Sequence, residues 1–138
     1  MKIITILFLL FTSTAPSVVD KLNSAKRELK FCDTNKIKDW RIDDARKFVV
    51  KFENATLINK KLKSYKLSGS VSEWNDIPIE MMRIKYGDSA KEICHSIDLT
   101  QTDSLGNFEI EVSILPDKFI EFYSTGYNKI YISLDLKK

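Results

Sequence analysis

The sequence contains few of the residue types on which most catalytic and cofactor sites depend. Its 138 residues include one histidine and four glycines. A zinc site needs three or four converging nitrogen, sulfur or oxygen ligands, and a phosphate-binding loop needs several glycines at close spacing. Neither pattern occurs, and no G-x-S-x-G nucleophile elbow is present. The sequence therefore predicts no catalytic residue, no metal and no cofactor.

The single histidine, His95, is interpreted as a structural residue. It alternates with Ile97 and Leu99, which predicts a position on an apolar strand face or at its edge. Asp98 falls on the opposite face, and Cys94 is adjacent in sequence and so points away from His95. A small secreted enzyme with an unrecognised site near His95 stays open as an alternative.

The charge balance is also unremarkable. The 22 lysines and arginines stand against 19 aspartates and glutamates, for a net charge of +3. Basic residues are spread along the chain, and the densest group, around Lys60, Lys61, Lys63 and Lys66, is interpreted as a solvated linker. No nucleic-acid partner is predicted, because nucleic-acid binding favours a clustered basic surface.

The start of the chain has the pattern of a signal peptide. Lys2 precedes an apolar run from Ile3 to Phe11, and small and polar residues follow. The run is too short for a comfortable membrane span, so no stable span is expected after cleavage. Pro16 disfavours cleavage after Ala15, so we predict a signal peptide of residues 1–17. A buried N-terminal helix is the alternative, although the run lacks a polar face.

Export makes the two cysteines informative. Cys32 and Cys94 are an even pair, which in an exported protein suggests a disulfide. The bridge would close a loop of about 63 residues and stabilise the fold by about 4 kcal/mol in the chain-entropy model. Two separate thiols, or a bridge between chains, are the alternatives.

Residues 18–64 are predicted to form a partly helical N-terminal extension. Apolar residues recur there at helical spacing at Val18, Leu22, Ala25 and Leu29. A second helical pattern leads from Trp40 to Phe52. Because Phe48, Val50 and Phe52 also alternate, the segment Arg46–Phe52 is either helix or strand.

Residues 65–138 are predicted to form a β domain. Six strands separated by turns are expected at Tyr65–Ser72, Ile79–Tyr86, Lys91–Leu99, Asn107–Ile114, Lys118–Tyr123 and Lys129–Leu136. Strict alternation in two of these strands predicts a core of Phe108, Ile110, Val112, Ile130, Ile132 and Leu134. The same alternation places Tyr131 on the polar side. Short strands at this spacing favour a sandwich or barrel, and the extension is a possible source of a seventh strand.

Four short motifs lie along this region. They are Ser68-Gly69 with Val71, then Pro78, then Thr102-Asp103 with Gly106 and Phe108, and finally Gly126-Tyr127. In this order they resemble the carboxypeptidase regulatory-like family of small β-sandwich domains built like transthyretin. The resemblance covers residues 66–136 and implies a mainly β, antiparallel, seven-strand-type sandwich. A bend at Gly126 is expected to rotate Tyr127 inward as a structural residue.

The resemblance also implies a class of function. Domains of this family accompany metallocarboxypeptidases or outer-membrane receptors and are not themselves the catalyst. We therefore expect an exported, non-catalytic module, periplasmic, outer-membrane-associated or secreted, that binds a protein or glycan partner. A eukaryotic transthyretin-like carrier is a further alternative, which glycosylation of Asn54 in the motif Asn54-Ala55-Thr56 would favour.

Overall fold

Two antiparallel β-sheets and one short helix form the part of the chain that the computed structural model describes, residues 17–25, 27–28, 46–88 and 96–136. The elements are helix α1 (Val18–Ser24) and strands β1 (Arg27–Glu28), β2 (Val49–Asn59), β3 (Ser64–Ser72), β4 (Arg83–Asp88), β5 (Ser96–Gln101), β6 (Asn107–Ser113), β7 (Lys118–Tyr123) and β8 (Ile130–Ser133). One sheet has the order β1-β8-β7-β4-β5 and the other β2-β3-β6. The prediction of a mainly β chain is confirmed. The helix predicted from Val18 is present but ends at Ser24, and Arg27–Glu28 form a strand, so the helical spacing does not continue beyond Ala25.

The predicted strand boundaries agree best with the structure where residues typical of turns flank the strand. Strands β3, β6 and β7 match the expected ranges to within one residue at each end. Strand β4 begins at Arg83 instead of Ile79. Met81, with a φ of 63°, turns the chain just before the strand, and its N–H donates to the carbonyl of Thr102 at 3.0 Å. A turn stabilised by a distant segment leaves no local sequence signal.

The segment whose helix or strand character was left open by the sequence is a strand. Strand β2 pairs with β3 from Val49 opposite Ser72 to Asn59 opposite Ser64. Its alternating residues Phe48, Val50 and Phe52 are buried. The helical interpretation of this segment is therefore wrong from residue 48 onward. The three-stranded sheet extends across the boundary predicted between residues 64 and 65.

The lysine-rich segment after β2 is a hairpin turn and not a linker. The side-chain oxygen of Asn59 accepts a hydrogen bond from the N–H of Leu62 at 3.1 Å. Lys63 has a φ of 52°, and its carbonyl accepts from the N–H of Ile114 at 2.9 Å. These bonds hold the turn beside the segment that follows β6.

The predicted core is confirmed. All six residues are at most 7% exposed: Phe108, Ile110, Val112, Ile130, Ile132 and Leu134. Both sheets contribute to it, because the ring of Phe122 in the five-stranded sheet contacts Phe52 and Phe108 of the other sheet, with centroids 6.3 and 5.5 Å apart. The edge-to-face geometry of these rings is the arrangement that aromatic pairs prefer.

On the five-stranded sheet, the alternation of polar and apolar residues does not predict which side chains are buried. Tyr131 is buried, and its ring lies 5.0 Å from that of Phe119. Glu121 is buried beside it, with Lys129 Nζ 3.9 Å away from its carboxylate. Burial, reinforced by Glu121, raises the pKa of the Tyr131 phenol. Strand β7 is thus buried on both faces, so polar and apolar positions do not alternate there.

The expectation of an apolar face is wrong for Ile97 on β5, which is 63% exposed.

Helix α1 docks on the edge of β2 through side-chain hydrogen bonds. Leu22 is fully buried in the core. The Asn23 amide accepts from the N–H of Phe52 at 2.8 Å and donates to its carbonyl at 2.9 Å. Arg27 donates to the carbonyl of Val50 at 3.2 Å. These groups satisfy backbone atoms that β2, as an edge strand, cannot pair with another strand.

The helix begins where the signal peptide is predicted to end. Ser17 is its N-cap and forms a capping box with Asp20. Cleavage after Ser17 would remove this cap, whereas cleavage after Ala15 would keep it. Residues 1–16 lie outside the described ranges. Within those ranges, no helix has the length and apolar character needed to cross a bilayer.

Candidate binding surface

Two loops at one end of the three-stranded sheet are held together by a buried threonine. Thr102 is 3% exposed. Its hydroxyl donates to the carbonyl of Ile79 at 2.6 Å and accepts from the N–H of Met82 at 2.9 Å. Its backbone N–H donates to the carbonyl of Met82 at 3.0 Å. We call the joined loops, residues 73–82 and 102–106, the loop platform.

The turn that starts at Asp103 has the geometry that the sequence predicts. One carboxylate oxygen of Asp103 accepts from the N–H groups of Leu105 and Asn107, both at 2.9 Å. Gly106 has a φ of 77°, and its carbonyl accepts from the N–H of Val71 at 2.8 Å. A side chain at Gly106 would lie 3.2 Å from Pro78. The glycine therefore permits the close approach of the two loops.

Gly69 and Phe108 also have structural roles. They lie opposite each other on β3 and β6. A Cβ atom on Gly69 would come within 2.9 Å of the end of the Phe108 ring and would overlap the carbonyl oxygen of Lys51. The absence of a side chain thus lets the ring lie across the strand and lets β2 approach closely.

A third segment reaches the loop platform through Tyr127. Gly126 has a φ of 88°, and the Tyr127 ring packs edge-to-face on Phe48 at 5.8 Å. Its hydroxyl donates to Oε2 of Glu73 at 2.6 Å. Arg46 Nη1 donates to the same oxygen at 3.1 Å. Tyr127 is thus half-buried and packed against the core, and its hydroxyl joins a small charged cluster.

The electrostatics of this cluster keep the phenol protonated. Burial raises the pKa of Tyr127, the hydrogen bond to Glu73 raises it further, and Arg46 lowers it in part. The guanidinium of Arg46 has a raised pKa because of its interactions with Tyr127 and Glu73. The Tyr127 hydroxyl is therefore a neutral donor at neutral pH. Its hydrogen bond and that of Arg46 hold Glu73, the first residue of the loop platform, in place.

The outer surface of the loop platform is unusually apolar. Four large side chains are exposed: Trp74 by 81%, Leu105 by 69%, Met81 by 62% and Ile77 by 51%. Met81 and Asp76 also have φ values of 63° and 68°, a region that residues other than glycine seldom adopt. Large apolar side chains exposed on two joined loops make the loop platform a candidate interaction surface. Sequence reasoning missed it, although a leucine inside the Asp103–Gly106 turn was a signal.

Cys32, Cys94 and His95 lie outside the described ranges, as do Leu29 and Trp40 of the predicted helical patterns. The disulfide therefore stays a prediction. In the described part of the chain, no three His, Cys, Asp or Glu side chains are placed to hold a metal ion. The motif residues that the structure does describe are brought together beneath the platform or beside it, and each has a packing or turn role.

No family model, curated protein or solved structure matches this chain. The resemblance to the carboxypeptidase regulatory-like family therefore depends on the motif residues alone. A functional assignment has to come from the surface that those residues support.

The hydrogen bonds through which Thr102 connects the two loops give a testable prediction. Thr102→Val removes a hydroxyl that both donates and accepts in a buried place, and it leaves the N–H of Met82 without that partner. We expect a loss of about 1–3 kcal/mol in the free energy of unfolding, measured by urea denaturation. Thr100→Val is the control, because the Thr100 hydroxyl makes only a 3.5 Å contact with the carbonyl of Gln101. Equal effects of the two substitutions would contradict the role given to Thr102.

Proposed function

We propose that this chain is an exported, non-catalytic β-sandwich module of the transthyretin type that binds a protein partner of the cell envelope through the loop platform. The observation that carries the proposal is the exposure of Trp74, Met81 and Leu105 on loops that are themselves fixed by buried hydrogen bonds. A rigid apolar surface loses little conformational entropy on binding, which favours affinity.

The contacts between the sheets support the sandwich part of the proposal. Phe122 packs against Phe52 and Phe108 from the other sheet, so the two sheets share one core. The turn roles of Asp103 and Gly106 agree with the motif resemblance. Export is supported by the apolar run from Ile3 to Phe11 and by the two cysteines.

The chemistry of the surface favours a protein over a glycan. Ile77 and Leu105 form no side-chain hydrogen bonds, and the thioether sulfur of Met81 is only a weak acceptor for a sugar hydroxyl. Tryptophan and methionine are enriched at protein interfaces, and tryptophan is frequent among residues that dominate binding energy. The nearby pair of Arg46 and Glu73 would lie at the polar rim of such an interface.

The proposal predicts that partner capture depends on Trp74 and Leu105. With the full chain as bait in an envelope extract, Trp74→Ala and Leu105→Ser should each reduce recovery of the partner by about tenfold or more, because a central anchor contributes about 2 kcal/mol or more. Recovery would be measured by quantitative mass spectrometry against the unmodified bait. Direct titration with the purified partner would then follow tryptophan fluorescence. The chain also contains Trp40, so the blue shift that Trp74→Phe abolishes would report the Trp74 ring leaving water.

Leu62→Ser is the matched control. Leu62 is 61% exposed and lies in the β2–β3 turn, at the other end of the sheet. It should leave recovery and the melting temperature unchanged. Recovery that is insensitive to Trp74 and Leu105, or equally sensitive to Leu62, would contradict the proposal. Binding to a glycan array that requires Trp74 but not Leu105 would replace the protein partner with a glycan.

A further inference from the structure

A second surface feature lies at the opposite end of the three-stranded sheet. Strand β3 leads from it to the loop platform, a span of roughly 25 Å at about 3.3 Å per residue. The feature is a groove of about 460 Å³ between helix α1, the β2–β3 turn and the segments that follow β6 and β8. This volume is within the range of small-molecule sites in proteins.

The floor of the groove is apolar. Side chains from five segments line it: Val18, Leu57, Tyr65, Ile114, Leu134 and Leu136. Leu134 is 1% exposed, whereas Leu57 is 47% exposed. The register of β2 against β3 shifts between Leu57 and Asn59. Leu57 is therefore a large aliphatic side chain that lines the groove and stays half exposed.

The rim of the groove is basic. Lys21 of helix α1 and Lys60 and Lys63 of the β2–β3 turn line it, against the single carboxylate of Asp135. Within the described ranges, these three lysines form no ion pair. The hydrogen bond from Ile114 to the carbonyl of Lys63 fixes the turn that carries two of them. An apolar floor bordered by three lysines is complementary to a molecule with one long apolar part and one anionic end.

We propose that this groove binds a single-chain carboxylate amphiphile, a fatty acid. Its hydrocarbon chain lies on Leu57, Ile114 and Leu136, where burial of each methylene contributes to affinity. Its carboxylate accepts charge-assisted hydrogen bonds from the lysines of the rim. The site is separate from the loop platform and does not depend on the protein partner proposed for it.

Calorimetric titration of the full, delipidated chain with dodecanoate tests the proposal, with dodecanol and butyrate as comparison ligands below their aggregation limits. We expect binding of dodecanoate at micromolar concentration, at least tenfold weaker binding of dodecanol, and no measurable binding of butyrate. The double variant Lys60→Gln, Lys63→Gln should weaken dodecanoate binding by about tenfold or more and leave dodecanol binding unchanged.

Lys66→Gln is the control for general charge. Lys66 lies on β3 outside the groove and is paired with Glu109 at 3.4 Å. It should not change dodecanoate affinity. Three results would overturn the proposal: no dodecanoate binding up to about 1 mM, equal affinity for dodecanol, or an equal loss on Lys66→Gln. Equal affinity for dodecanol would show that an uncharged apolar occupant fits as well.

Discussion

Replacement of Ile132 by alanine is expected to lower the free energy of unfolding by about 2–5 kcal/mol. Ile132 is fully buried on β8, opposite the equally buried Ile120 of β7. Truncation removes three carbon atoms from a packed core and leaves a cavity whose walls relax only in part. Urea denaturation should show a lower midpoint with an unchanged slope, because the surface exposed on unfolding stays the same.

Ile97→Ala is the control for the loss of the same side chain at an exposed position. Ile97 is 63% exposed on β5, and its truncation should change stability by no more than about 0.5 kcal/mol. A difference of less than about 1 kcal/mol between the two variants would contradict the position given to β8 in the core.

Gly69→Ala is expected to cost about 3 kcal/mol, the upper end of the usual range for overpacking. The added methyl group would meet the end of the Phe108 ring at 2.9 Å and would overlap the backbone oxygen of Lys51. The ring has limited room, since it packs on Phe52 and Phe122. Strand β2 would have to move away from β3, which weakens their pairing. Thermal and urea unfolding both measure the effect.

Gly126→Ala is the comparison variant for Gly69→Ala. It tests the energetic cost of a positive φ at a position where an added methyl group has room. Gly126 has a φ of 88°, but no atom lies within 4 Å of the position of its added Cβ. The substitution should cost about 1–2 kcal/mol, the strain of a left-handed residue with a side chain. Should Gly69→Ala prove milder than Gly126→Ala, the close approach of β2 to Gly69 would be wrong.

The sequence predicted those parts of the fold in which local chemistry decides the structure. The alternation around Ile110 and Ile132 identified buried faces, and Asp103 with Gly106 identified a turn. Tyr131 was misplaced because β8, like the neighbouring β7, is buried on both faces, so polar and apolar residues do not alternate in these strands. The segment around Val50 satisfied both helical and strand spacing. Its pairing with β3, which no local pattern encodes, decided between them.

The candidate surfaces were predictable only in part. The motif residues Thr102 and Gly106 were identified, yet the exposed ring of Trp74 above them was not, because exposure depends on how two distant loops meet. The same holds for the groove. Lys21 and Lys63 are 42 positions apart in the sequence, and only the docking of α1 beside the β2–β3 turn brings them to one rim.

The docking of α1 has a consequence for solubility. The free edge of β2 would otherwise present the N–H and carbonyl of Phe52 to another molecule, and open strand edges are templates for intermolecular pairing and aggregation. Asn23 occupies both groups, so the helix protects the edge at Phe52. This protection depends on a helix of seven residues that is capped by Ser17. Cleavage after Ser17, as the sequence predicts, would remove this cap and would be expected to increase aggregation at high concentration.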